Sequence, residues 1–110
     1  MDIGRAVAVL IGAAVLEVGG DALVRLGLQT AGPGRFAYWA TAMAALFGYA
    51  LTVNAPGWEF GRLLGVYVVV FFVIAQVVDA VVFGHGPAPA IWLGGALIVA
   101  GGAVIVLGGP

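Results

Sequence analysis

Four long apolar runs constrain this chain more than any other feature of its sequence. Each has about the 20 residues with which an α-helix crosses a bilayer. Charged residues make up 8% of the 110, whereas a water-soluble domain carries about a quarter. Runs such as GVYVVVFFVIAQVV also lack the alternating polarity of membrane β-barrel strands. The sequence therefore predicts an all-α, integral membrane fold with four spans, at Gly4–Leu28, Phe36–Val53, Phe60–Phe83 and Ala90–Leu107.

The linkers between the runs are short and contain turn-forming residues, namely QTAGPGR (29–35), NAPGW (54–58) and GHGPAP (84–89). We therefore expect residues 1–110 to form a single four-helix bundle. The first run follows a positive residue, as in a secretory signal, but it continues through Glu17 without a convincing cleavage site. We expect it to remain in place as the first helix.

Composition and residue pattern argue against several classes of function. The chain has no cysteine and therefore neither disulfides nor thiolate metal ligands. Its net charge of −1 argues against a nucleic-acid partner, which would need a basic patch. His85 lies in a Gly-Pro loop without a second ligand nearby, and no nucleophile stands beside a base. We expect no enzyme activity, no metal and no cofactor.

The arginines divide evenly between the two sides of the membrane. Short loops rich in Lys and Arg usually stay cytoplasmic. In a four-span chain, Arg5 and Arg62 lie on one side, while Arg25 and Arg35 lie on the other. Either the chain has one orientation set by another feature, or it inserts both ways and opposed copies pair. A four-helix chain is small for enclosing a polar cavity alone, so both interpretations predict an oligomer.

Three ionisable residues interrupt the first run, in the segment LEVGGDALVR. Glu17, Asp21 and Arg25 are four residues apart and so lie on one face of a helix. A charge at mid-span costs about 2.5–3.5 kcal/mol, and each Leu, Ile or Val returns about 0.3–0.6 kcal/mol. The ten such residues in the range Val7–Leu26 barely offset two deep charges. We therefore expect the stripe to face the bundle interior or a water-filled cavity.

Two interpretations of this stripe remain open. Asp21 and Arg25 form a structural ion pair in the first, since buried charges are usually paired. That pair does not account for Glu17, which lies one turn deeper. Burial disfavours the ionised form of a carboxyl, so an intramembrane glutamate is suited to exchange a proton, or a cation for that proton, near neutral pH. The second interpretation therefore makes Glu17 a functional residue.

The remaining polar residues predict contacts more than chemistry. Glu59 and Arg62 are three residues apart at the start of the third helix, which predicts an interfacial salt bridge. Alternatively, this pair gates the cavity at Glu17. Gln76 and Asp79 are expected at an interface, where Asp79 could also position a loop.

Glycines form two parallel stripes on the fourth helix. Gly94 and Gly101 are seven residues apart and share a face, and Gly95 and Gly102 repeat the spacing. Small residues let helix backbones approach closely in a bilayer. The pattern predicts a packing or dimer seam at Gly94 and Gly101.

Several of these residues resemble motifs of the small multidrug resistance family, four-helix members of the drug/metabolite transporter superfamily. The first-helix pattern E-V-x-G-x-x-L-x-K is matched by EVGGDALVR, in which Arg25 replaces the lysine. The fourth-helix pattern G-x-x-L-I-x-x-G is matched over residues 94–101. In the third helix, GVYV (65–68) and VVD (77–79) resemble the YnfA-type proteins of that group. The similarity covers all four helices thinly.

The resemblance implies an antiparallel homodimer of dual-topology copies in a prokaryotic inner membrane. In such a dimer the Glu17 carboxylates of both subunits share a cavity in which protons and cationic substrates compete. The resemblance further implies that Gly65 is a flexible point and that Phe60, Leu63 and Tyr67 line the cavity. This chain departs from the family there, because Phe60 lacks a tyrosine hydroxyl and Leu63 lacks a ring for cation–π contact.

These expectations favour a proton-coupled exporter of small or lipophilic cations, with Glu17 as the exchange site. Asp21 and Arg62 add an acid and a base that the family pattern lacks, and they either tune or block transport. The alternative is a non-transporting accessory or assembly protein whose intramembrane charges are structural. A dual-topology ion channel would need a continuous polar pore rather than one acidic stripe.

Overall fold

The computed structural model describes residues 2–108, which form four α-helices and no β-strand. Each helix is long and apolar enough to span a membrane, so length and composition make the chain a multi-pass membrane protein. The helix ends lie within two residues of the predicted spans. The helices are α1 (Ile3–Leu28), α2 (Gly34–Val53), α3 (Phe60–Val82) and α4 (Pro89–Gly108).

Local chemistry fixes where these helices begin and end. The side chain of Asp2 caps α1 by accepting a hydrogen bond of 2.7 Å from the backbone N–H of Arg5. Pro89 opens α4, a position that suits proline because the first helical N–H has no partner in the helix. Each linker turns at a glycine with positive φ, a backbone conformation that strains a residue with a Cβ; these are Gly32, Gly57 and Gly84.

Asp79 holds the loop that follows α3. Its backbone carbonyl accepts hydrogen bonds from the N–H groups of Phe83 at 3.2 Å and His85 at 3.1 Å. Its carboxylate Oδ1 also lies 2.9 Å from Nδ1 of the His85 ring. Asp79 thus contacts the loop through His85, in line with the second of the two roles considered for it, and its interface role stays a prediction.

The chain divides into two compact units between Pro56 and Gly57. In the first unit α1 packs against α2, and in the second unit α3 packs against α4. Each unit is thus a helical hairpin with a short connection. Among the described residues α1 has more buried positions than any other helix; they are Ala6, Leu10, Ala13, Ala14, Val18, Gly20 and Gly27.

Large apolar side chains form much of the exposed surface on all four helices. Met43, Phe47, Val81 and Leu107 are each more than two-thirds exposed. Within residues 2–108, no polar or charged residue is fully buried. A helix satisfies its own backbone hydrogen bonds, so an apolar exterior of this kind is suited to lipid.

Candidate functional site

Glu17 lies near the middle of the longest and most buried helix. At about 1.5 Å per residue, it is ~21 Å from the start of α1 and ~17 Å from its end. Its side chain is half-buried within the single chain. The helix around it is otherwise apolar over more than two turns toward the N-terminus. A carboxylate is therefore placed close to mid-span, where ionisation is costly and proton exchange is useful.

The packing of α1 on α2 brings a tyrosine to this carboxylate. Tyr49 on α2 lies close enough to Glu17 and Asp21 to interact with both charges. The close approach depends on Gly20, where an added Cβ would lie 2.8 Å from the side chain of Leu46. The sequence pattern did not single out Tyr49, since an apolar α2 offers no charge stripe to orient it. The position of Tyr49 depends on how α2 aligns along α1, which the sequence pattern does not indicate.

Asp21 and Arg25 do not complete an enclosed stripe within one chain. Both side chains are exposed, in contrast to the expectation that the stripe faces an interior or a cavity. The pairing of Asp21 with Arg25 stays a prediction. Arg25 lies in the last turn of α1 and interacts with another group of the chain. A cation is favourable there, because the helix dipole is negative at its C-terminal end.

The three predicted cavity residues of α3 have different environments. Phe60 is 69% exposed, whereas Leu63 is 1% and Tyr67 is 4% exposed. The Tyr67 ring lies 6.2 Å from that of Phe71, centroid to centroid. A single chain therefore does not present these residues as one surface, and their role as a cavity lining stays a prediction.

Arg62 contacts an aromatic ring instead of the acid that was predicted to pair with it. Its guanidinium carbon lies 4.6 Å from the centroid of the Trp58 ring, a cation–π contact. No ion pair joins Arg62 to Glu59 within residues 2–108, and Glu59 is exposed. The predicted salt bridge is therefore wrong for this structure. Three-residue spacing permitted it, but Trp58, four residues from Arg62, holds the guanidinium instead.

The two glycine stripes of α4 have different neighbours. Gly102 packs against Val69, and a Cβ at Gly95 would lie 2.7 Å from the Phe72 ring, so this stripe faces α3. Nothing lies within 4 Å of a Cβ built at Gly94 or Gly101. The stripe that was predicted as a seam is thus open on the chain, and its role between copies stays a prediction.

Gly65, the predicted flexible point of α3, also lies at a close helix contact. A Cβ added there would lie 2.8 Å from the side chain of Ile105 on α4. This contact explains a glycine at position 65 by packing alone. The flexibility implied by the family resemblance remains a prediction.

An apolar groove lies between α3 and α4, and none of the predicted site residues is among those that line it. Its volume is about 770 Å³. Gln76 supplies an amide to an otherwise apolar lining that includes Phe72, Trp92 and Val99. The interface role expected for Gln76 agrees with this position, but the groove itself had no signal in the sequence.

No group of three or more His, Cys, Asp or Glu side chains that could hold a metal occurs in residues 2–108. A half-buried carboxylate with a phenol beside it can accept a proton or attract a cation. Comparisons with protein-family models, curated proteins and solved structures found no match for this chain.

Proposed function

We propose that this protein is a proton-coupled exporter of small or lipophilic cations and that Glu17 is the exchange site. The observation that supports the proposal is the position of Glu17, a half-buried carboxylate near the middle of an apolar spanning helix. Intramembrane carboxylates of this kind mark proton and cation pathways by default.

The exchange follows from competition for one carboxylate. A deprotonated Glu17 attracts a cation, and a protonated Glu17 has no charge with which to hold it. If the site opens to one side at a time, the return of a proton displaces the cation. In this proposal Tyr49, which interacts electrostatically with Glu17 and Asp21, supplies a hydroxyl and a ring to the same site.

We also propose that two copies pair, in opposite orientations, around the charged part of α1. Asp21 is exposed on the single chain although it lies well inside a spanning helix. A charge at the centre of a helix facing lipid costs about 2.5–3.5 kcal/mol. A second copy covering this face would remove that cost and would bring the two Glu17 carboxylates to one polar cavity. The open glycines of α4, Gly94 and Gly101, are the proposed packing seam.

Opposite orientations require that the arginine balance be even, and this gives a direct prediction. The substitution Arg5→Gln removes one of two arginines on the side of the N-terminus and leaves Arg25 and Arg35 on the other side. Positive residues favour the cytoplasm, so we expect the wild-type mixture to shift toward copies with their N-terminus outside. Reporter fusions to the C-terminus, one active inside and one outside the cell, measure this ratio. An unchanged ratio, with a single orientation in both proteins, would contradict dual topology.

Transport is tested with purified protein in vesicles that carry a pH gradient. A panel of small and lipophilic cations is offered. For at least one of them we expect uptake into the vesicles as protons flow out, and release when the pH gradient is reversed. Protein-free vesicles and vesicles with the gradient collapsed by an ionophore are the controls. Rapid cation flux at a rate that does not depend on the proton gradient would identify a channel instead.

A non-transporting accessory protein is the second candidate. The observation that favours it is Leu63, which is buried and apolar where the family resemblance implies a substrate-facing aromatic ring. The absence of flux for every cation of the panel, from protein that is folded and paired, would support this candidate over the exporter.

A further inference from the structure

Two arginines of this chain lie against tryptophan rings, one in each helical unit. In the first unit the guanidinium of Arg35 is 5.2 Å from the centroid of Trp39. In the second unit the guanidinium of Arg62 is 4.6 Å from the centroid of Trp58. In each pair the two residues are four apart in sequence. Arg35 and Trp39 lie one turn apart at the start of α2, whereas Trp58 precedes the first residue of α3.

The Arg35 pair is held rigidly on both sides. The Nε of Arg35 donates a hydrogen bond of 3.2 Å to the carbonyl of Thr30. The indole Nε1 of Trp39 donates one of 3.3 Å to the carbonyl of Val24, and the ring meets Phe36 edge-on at 5.7 Å. Within residues 2–108 the terminal nitrogens of Arg35 have no hydrogen-bond partner. The Arg35 guanidinium is therefore held in place, and its terminal N–H groups remain available to donate to a ligand.

The Arg62 guanidinium is similarly placed and lacks an acidic partner. Its Nε is buried without a hydrogen-bond partner among the described residues. Glu59 is exposed and makes no ion pair with it, and the first turn of α3 contains no acid. The first turn of α2, beside Arg35, contains none either. Both arginines therefore add positive charge at a helix start that no acidic side chain balances.

The two pairs follow successive linkers along the chain. Arg35 follows the linker between α1 and α2, and Arg62 follows the linker between α2 and α3. If α2 spans the bilayer, the two pairs are at the headgroup level of opposite leaflets. Tryptophan favours that level because its ring is apolar and its N–H is polar.

We propose that Arg35 and Arg62 each bind the phosphate of an anionic phospholipid, one in each leaflet. A guanidinium presents parallel donors that match two phosphate oxygens, and a stacked, restrained side chain loses little entropy on binding. The depth of both pairs at the ends of spans selects a lipid phosphate over a free one. The chain would thereby hold the same kind of lipid on both faces, independently of any transport.

Lipid binding is measured by native mass spectrometry of the full chain in detergent, with phosphatidylglycerol as the probe and phosphatidylcholine as the reference. We expect the double variant Arg35→Gln with Arg62→Gln to weaken phosphatidylglycerol binding about fivefold, the attraction that one basic residue gains at an anionic surface, and each single variant to weaken only its own site. Arg5→Gln is the matched control, because Arg5 is exposed and lies beside Asp2 with no ring contact. It should change binding less than twofold.

Two further arms separate the alternatives. Trp58→Leu keeps Arg62 but removes its ring, and it should also weaken phosphatidylglycerol binding; circular dichroism confirms that each variant is folded. The proposal is overturned if the double variant Arg35→Gln with Arg62→Gln binds like Arg5→Gln. It is also overturned if inorganic phosphate competes with the lipid at equal concentration, since that would indicate a free-anion site.

Discussion

Glu17→Gln is expected to abolish exchange of cations for protons in vesicles. Glutamine keeps the size of the side chain but has neither a charge for the cation nor a site for the proton. Removing one partner of a desolvated charge pair costs about 2–5 kcal/mol. That loss corresponds to cation binding weaker by roughly 30-fold to several thousand-fold. Transport by the variant should therefore fall to the level of protein-free vesicles.

Asp21→Asn provides the matched control for this substitution. It makes the same chemical change one turn away on α1, but at a side chain that is exposed on the single chain. We expect Asp21→Asn to retain proton-coupled exchange, because Glu17, the carboxylate for which proton and cation compete, is unchanged in this variant. Equal losses in the two variants would mean that the carboxylates act as a pair, and unchanged transport in Glu17→Gln would refute the exchange site.

A loss of transport in Glu17→Gln must be distinguished from a loss of folding. Glu17 is half-buried and contributes no fully buried charge, so its neutralisation should leave α1 packed on α2. The thermal unfolding midpoint of the variant in detergent should match that of the wild type within a few degrees. A midpoint lowered by several degrees would make the transport result a folding effect.

The spans could be predicted from the sequence because their signal is long and local. Each helix needs about 20 consecutive apolar residues, and the linkers supply Gly and Pro at the turns. Three of the eight structural ends coincide with the predicted ones, and the others differ by one or two residues. Asp2 and Pro89 determine two of those ends, and hydropathy does not detect such single residues.

The partners of individual side chains were much harder to predict. Spacing placed Arg62 beside Glu59 and Arg25 beside Asp21, yet the guanidinium of Arg62 lies on Trp58. Helical spacing identifies all the partners that a side chain can reach. Small differences in interaction energy then decide which of these partners it contacts. Tyr49 had no signal at all, because its position beside Glu17 depends on the register of one helix on another.

The fourth helix shows the same limit in its glycines. Two stripes with identical spacing were visible, and nothing in the sequence distinguished their faces. In the structure Gly95 and Gly102 face α3, whereas Gly94 and Gly101 are open. A rotation of α4 by one residue, about 100°, would exchange them. Which glycine stripe faces α3 is therefore decided by the side chains of α3, and the sequence of α4 alone does not indicate it.

Gly102→Ala is expected to destabilise the second hairpin by about 1–2 kcal/mol. The added methyl group would collide with Val69, whose branched side chain has one strongly preferred rotamer in a helix and cannot swing away. Overpacking of this kind typically costs about 1–3 kcal/mol, and the better helix propensity of alanine returns up to about 1 kcal/mol. Reversible unfolding in mixed micelles, followed by circular dichroism, measures the free energy of unfolding.

Gly101→Ala is the control next to it, since a Cβ at Gly101 meets nothing within 4 Å on the same chain. It gains the same helix propensity without the collision, so we expect its free energy of unfolding to be unchanged or slightly raised. The double variant Gly102→Ala with Val69→Ala then tests the cause: removing both γ-methyls of Val69 makes room for the new Cβ. If the collision is the cause, the two substitutions together should cost less than the sum of their separate effects. Strict additivity, or equal losses at positions 101 and 102, would mean that α4 presents a different face to α3.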